Sequence, residues 1–119
     1  MSHLRTFKEI IKYCNRYQGV TLRIPSCEIA SYKTGYFVSI EGGQIVTHLE
    51  FTSDILSDFI IDNSDKLSHG FLLGIWYDKE HVYLDLTKWI QGYSKALSFG
   101  RDNKQIAIYD VKNQKVITL

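Results

Sequence analysis

The sequence predicts a single α+β domain, a mainly antiparallel sheet built from hairpins and packed by about three helices. Three observations predict it. The N-terminal stretch is strongly amphipathic at helical spacing. Most β-rich segments come in pairs joined by short turns. No long alternation of strand, helix and strand is present, so the pairing expected is antiparallel.

The first element is a helix over residues 4–17, LRTFKEIIKYCNRY, with Leu4, Phe7, Ile10, Ile11, Cys14 and Tyr17 at helical spacing. Arg5, Lys8, Glu9, Lys12 and Arg16 fall mainly on the other side, and Gly19 is the expected stop. GVTLRIP follows as a strand, with Val20, Leu22 and Ile24 in alternation and Pro25 ending it. Residues 36–40 (YFVSI) and 44–49 are both β-rich, and Glu41-Gly42-Gly43 between them predicts a hairpin with Ser39 and Thr47 on its polar side. Thr52-Ser53-Asp54 supplies cap candidates for a helix over about 54–67, with Ile55, Phe59, Ile60 and Leu67 inward.

FLLGIWYD, the turn Lys79-Glu80 and HVYLDLT make a second hairpin, in which Val82, Leu84 and Leu86 alternate against Tyr83, Asp85 and Thr87. A short helix over about 94–102 starts at the cap candidate Ser94 and packs through Ala96, Leu97 and Gly100. QIAIYD and KVITL form the last hairpin, around Lys112-Asn113-Gln114. Arg101 to Gln105 reads mainly as the joint between that helix and that hairpin. The amides of Asn103 and Gln105 are suited to capture loose backbone groups, which leaves Arg101 and Lys104 for a partner.

At 119 residues the chain is expected to fold as one domain, 1–119, burying roughly two thirds of its unfolded surface. Fourteen basic against thirteen acidic side chains exclude both a strong overall field for phosphates and the acidic surface of a DNA mimic. The longest apolar run, Phe71 to Tyr77, is too short to span a bilayer, and no apolar signal core follows the N-terminal basic residues. The expected location is the cytoplasm, with no membrane partner. Cys14 and Cys27 have neither zinc nor disulfide spacing and read as small buried hydrophobes.

No phosphate loop, dinucleotide fingerprint, zincin or nucleophile-elbow pattern occurs. Gly42-Gly43 has no following helix and reads as a turn. His3, His48, His69 and His81 lack metal-ligand spacing, so neither a metal nor a cofactor is expected, and no catalytic residue is assigned. His81 with Asp78 and Asp85 could converge across the second hairpin, with Asp85 pairing with Lys88 or His81, and is the one enzyme-like set. Tyr32-Lys33-Thr34-Gly35-Tyr36 places two tyrosines beside a lysine in a glycine-bearing segment, a pattern that stacks on bases or anchors a protein. Trp76, Tyr77, Tyr83, Trp89 and Tyr93 surround the second hairpin, and alternation cannot bury them all. The contact candidates are Tyr32, Lys33, Tyr36, Trp89, Tyr93 and Arg101.

Residues 70–117, some 40% of the chain, carry Gly-x-Trp-x-Asp, then Leu-Asp-Leu, then Ala-Leu-x-x-Gly-Arg, then Asn-x-Gln-Ile-Ala-Ile-x-Asp. This pattern resembles a segment of small, mostly uncharacterised proteins of phages and other mobile elements. The resemblance carries no catalytic residue. It implies a bacterial host cytoplasm and a protein that binds and blocks a host factor, such as a restriction or CRISPR nuclease. The leading expectation is therefore a non-enzymatic, anti-CRISPR-like inhibitor of a bacterial defence nuclease acting by protein contact. The alternatives are a nucleic-acid-binding module using a local basic-aromatic patch, and a small enzyme around His81 and Asp85. Homodimerisation through the lightly charged last strand is a further expectation.

Overall fold

A strand of ten residues, His81–Ile90, organises the molecule because it is long enough to pair with two shorter strands end to end on one side. The structure is a computed structural model that describes Leu4, residues 6–40 and residues 43–119. In chain order its elements are α1 (Phe7–Tyr17), β1 (Gly19–Arg23), β2 (Glu28–Ile29), β3 (Tyr36–Ser39), β4 (Gln44–Thr47) and α2 (Ser53–Asp62). They continue with α3 (Ser64–Leu67), β5 (Leu72–Asp78), β6 (His81–Ile90), α4 (Tyr93–Asp102), β7 (Ala107–Asp110) and β8 (Lys115–Thr118). The fold is a single α+β domain, and every strand pairing among the described residues is antiparallel.

The sheet runs in the order β2-β1-β5-β6-β3-β7-β8, with β4 also on β6. The hairpins β5–β6 and β7–β8 occur as expected. The hairpin expected between YFVSI and the following β-rich run does not. Tyr36–Ser39 pairs with Ile90 to Thr87, and Gln44–Thr47 pairs with Leu84 to His81, so β3 and β4 lie in line along one edge of β6. Between Ser39 and Gln44 the chain takes five steps while β6 takes three, from Thr87 to Leu84. β3 and β4 thus stand as two pieces of one interrupted strand along β6 rather than as the two arms of a hairpin. Glu41 and Gly42 of the expected turn lie outside the described residues, as do Arg5 and His3.

Helix boundaries shift for local reasons. α1 starts after Thr6, whose hydroxyl accepts from Glu9 N at 3.1 Å, so Leu4 precedes the helix and bonds through its N–H to Cys27 O. Its stop is Gln18, at φ 67°, rather than Gly19, which opens β1. The long helix expected over 54–67 is divided at Asn63, which donates from Nδ2 to Phe59 O at 2.8 Å and competes with helical continuation. This is why four helices occur among the described residues where about three were expected. α4 begins at Tyr93, with Gly92 rather than Ser94 as its cap residue. At its other end Asn103 Nδ2 donates to Phe99 O and Gln105 Nε2 to Asn103 O, so both amides act in the joint as expected.

All four helices lie on one face of the sheet. Ile10, Cys14, Leu56 and Phe59 pack on Val20, Leu22, Leu73, Ile75, Val82, Leu84 and Leu86, while Ala96 of α4 packs on Val38 and Ile108. Cys14 is fully buried, and burial pushes its thiol up to about 12. Cys27 is only half-buried and stands at φ 58°.

Candidate functional site

Strand alternation sends the remaining side chains to the opposite face, where no helix packs among the described residues. That face presents Arg23 and Thr21 from β1, Gly74 and Trp76 from β5, and Tyr83, Asp85, Thr87 and Trp89 from β6. Phe37 and Ser39 from β3, Tyr109 from β7 and Val116 from β8 continue it.

Five rings cross this face in unbroken contact. Trp76 meets Tyr109 at a centroid distance of 5.7 Å, and Tyr109 lies nearly parallel to Phe37 at 6.4 Å. Phe37 meets Tyr32 edge-on at 5.9 Å, and Tyr32 stacks on Trp89 at 4.4 Å with 8° between the planes. Trp76 and Tyr109 sit on strands with two others between them, roughly 14 Å apart in a flat sheet. Their contact spans that gap over β6 and β3, and the two rings border a trough on the open face. Its small-residue floor permits this: a side chain at Gly74 would meet Thr87 Oγ1 at 2.7 Å.

The trough encloses about 160 Å³, lined by Phe37, Ser39, Trp76, Thr87, Tyr109 and Val116 with Ala107 and Ile108 at one side. Drug-sized or cofactor-sized ligands occupy roughly 300–1,000 Å³, so this volume suits one side chain or small group. The walls are apolar and the floor is polar. Ser39 Oγ and Thr87 Oγ1 stand 3.4 Å apart. Asp85 lies next to them, and burial raises its carboxyl above the ordinary value while a hydrogen bond from Ser39 opposes the rise.

The six contact candidates divide between the two faces. Tyr32 and Trp89 meet on the open face, where Trp89 Nε1 donates to Thr34 O at 2.8 Å and Arg23 Nη2 donates to the Tyr32 hydroxyl at 2.8 Å. Lys33 is exposed in the segment beside them. Tyr36 points to the helical face and meets Tyr93 at 5.7 Å, and Arg101 is exposed on the last turn of α4. Tyr32, Lys33 and Arg101 therefore do not form one basic-aromatic patch.

Phe37 and Tyr109 are not among the residues that the sequence singles out, and Trp76 is named there only within the aromatic cluster around the second hairpin. Their signal was phase: Phe37 precedes inward Val38, and Tyr109 follows inward Ile108. The enzyme-like set converges only in part: Asp78 stands directly opposite His81 across the β5–β6 hairpin, while Asp85 does not join them. His81 and Asp85 are four residues apart along one strand, roughly 13 Å, and His81 is exposed. Lys88 does not pair with Asp85 either. It points to the helical face, with its Nζ over the rings of Phe71 and Phe99 at 5.2 and 5.9 Å.

Among the described residues, no three His, Cys, Asp or Glu side chains gather as a metal site, and no helix is long and apolar enough to cross a membrane. No protein-family model matches the chain, and neither a curated protein nor a solved structure is detectably similar to it.

Proposed function

We propose that this protein acts by contact rather than catalysis, and that the open face of its sheet is the surface that binds another protein. The observation that carries the reading is the ribbon of five rings bordering a trough that no helix covers among the described residues. Large, rigid aromatic side chains anchor protein interfaces because they bury much area at little entropic cost. The resemblance to phage and mobile-element proteins makes a bacterial defence nuclease the partner class to test first, with the bacterial cytoplasm as the place of action.

A nucleic-acid platform would also use stacked rings, yet it needs cations along a phosphate track. The charges borne by strands on this face are Arg23, Glu28, Asp78 and Asp85, and Arg23 lies 4.0 Å from Glu28. Arg101 belongs to the other face. This balance favours a protein partner over phosphate-driven binding. β8 is an edge strand whose Val116 is 65% exposed, which supports strand-edge pairing as a route to a homodimer.

The test is a pull-down from a bacterial lysate that carries CRISPR and restriction systems, run at low and high salt with the natural chain and with Tyr109→Ser. The reading expects a defence component retained at high salt and lost with Tyr109→Ser. No defence component, together with tight salt-sensitive binding to random oligonucleotides, would overturn it.

A further inference from the structure

We infer that the trough is a subsite for one cationic side chain, a lysine or arginine of the protein partner, held between Trp76, Phe37 and Tyr109 with its charge toward Asp85. The inference rests on the open face being the binding surface, and it names the chemistry that this surface selects.

Four observations converge on it. The first is an acid without a cation: among the described residues, Asp85 forms no ion pair, and the hydroxyl of Ser39 is the partner that its carboxylate has. A carboxylate set into a sheet face with no countercharge costs stability, which an incoming cation would offset. The second is room beside it. A side chain at Gly43 would collide with Asp85 Oδ1, and one at Gly74 would come within 3.7 Å of Asp85 Cβ and 2.7 Å of Thr87 Oγ1. Gly43, just ahead of β4, and Gly74 on β5 therefore put no side chain against Asp85 from either neighbour.

The third is the wall chemistry. Trp76, Phe37 and Tyr109 offer aromatic faces around a space of about 160 Å³, and such faces attract ammonium and guanidinium groups. An apolar wall, with an acid hydrogen-bonded behind the floor hydroxyl of Ser39, matches the two halves of a long basic side chain, whose methylene stem and charged head need different surroundings. The fourth is the position of the nearest basic groups. Arg23 is engaged with Tyr32 and Glu28, and Lys88 points to the opposite face, so neither described group fills this place from within.

The probes are the N-acetyl methylamides of arginine, lysine and citrulline, citrulline being the neutral isostere of arginine. Each is titrated into the full chain while the two tryptophan indole N–H signals are followed by NMR. The arginine and lysine probes are expected to shift the Trp76 indole saturably, with citrulline bound about tenfold more weakly. Asp85→Asn is expected to reduce the arginine probe to the citrulline level while its amide spectrum stays native.

Equal binding of arginine and citrulline overturns the inference. So does unchanged binding by Asp85→Asn, a response at Trp89 alone, or no binding of any probe. Should a defence component still be captured and lost with Tyr109→Ser in those cases, the open-face reading stands and only the cationic subsite fails. Should Tyr109→Ser change nothing, both fail.

Discussion

Adjacent residues of β6 provide the sharpest physical contrast in the molecule, because Leu84 and Tyr83 share a backbone environment and differ in the face they occupy. Leu84 is 0% exposed, opposite Ile75 on one side and Gln44 on the other. Ladder pairing on both sides limits local collapse, so Leu84→Ala belongs in the upper part of the usual range, about 3–5 kcal/mol. For a chain of this size that corresponds to a fall in Tm of roughly 12–20 °C. Tyr83 is half-buried; its ring meets that of His81 at 6.5 Å, and its cross-strand partners are Ile45, 61% exposed, and the half-buried Trp76. Tyr83→Ala should therefore cost about 1 kcal/mol or less. Urea unfolding followed by far-ultraviolet circular dichroism measures both, with the m-value as the check on a common unfolded state. Equal costs for the two variants would refute an open second face.

Three further outcomes follow from single residues. Burial raises the folded-state affinity of Asp85 for its proton, so its stabilising contribution is complete below the unfolded value of 3.8 and is lost as pH rises through the raised folded value. Asp85→Asn should consequently melt higher than the natural chain at neutral pH and equal to it below 3.8, and a gain that persists in acid would contradict the assignment. Gly35 has φ +90°, and a side chain there would enter the Trp89 indole, so Gly35→Ala should displace that ring, shift its fluorescence to the red and lose more than about 1 kcal/mol. An aromatic disulfide reagent should label half-buried Cys27 in the folded protein and reach Cys14, raised to about 12 and fully buried, only on unfolding.

What could be read from the sequence was whatever local period controls. The inward face of α1, the β5 and β6 pair around Lys79, and the β7 and β8 pair around Asn113 are all written in spacing. The β3 and β4 arrangement was not legible, because two β-rich runs around glycines look alike whether the chain reverses or continues. The length of β6 decides between them, and that is a property of residues forty positions away. The site was hidden for a related reason. Its rings come from β3, β5, β6, β7 and the segment before β3, and the order β5-β6-β3-β7 that joins them is set by non-local pairing. Tyr32 and Trp89 were legible singly as aromatic residues near a turn or strand end. Tyr36 separates from Tyr32 because the chain bends over residues 33–35, with Gly35 at φ 90°, and so breaks the two-residue period that would have kept both rings on one face.

The most direct measurement of which face binds is photocrosslinking from two positions in a bacterial lysate that carries defence systems. One photoreactive benzoylphenylalanine replaces Tyr109 at the trough, and another replaces Ile61, which is 65% exposed on α2. The open-face account expects a defence-protein adduct from position 109 that survives high salt, and none from position 61. An adduct from position 61 with none from position 109 would contradict it.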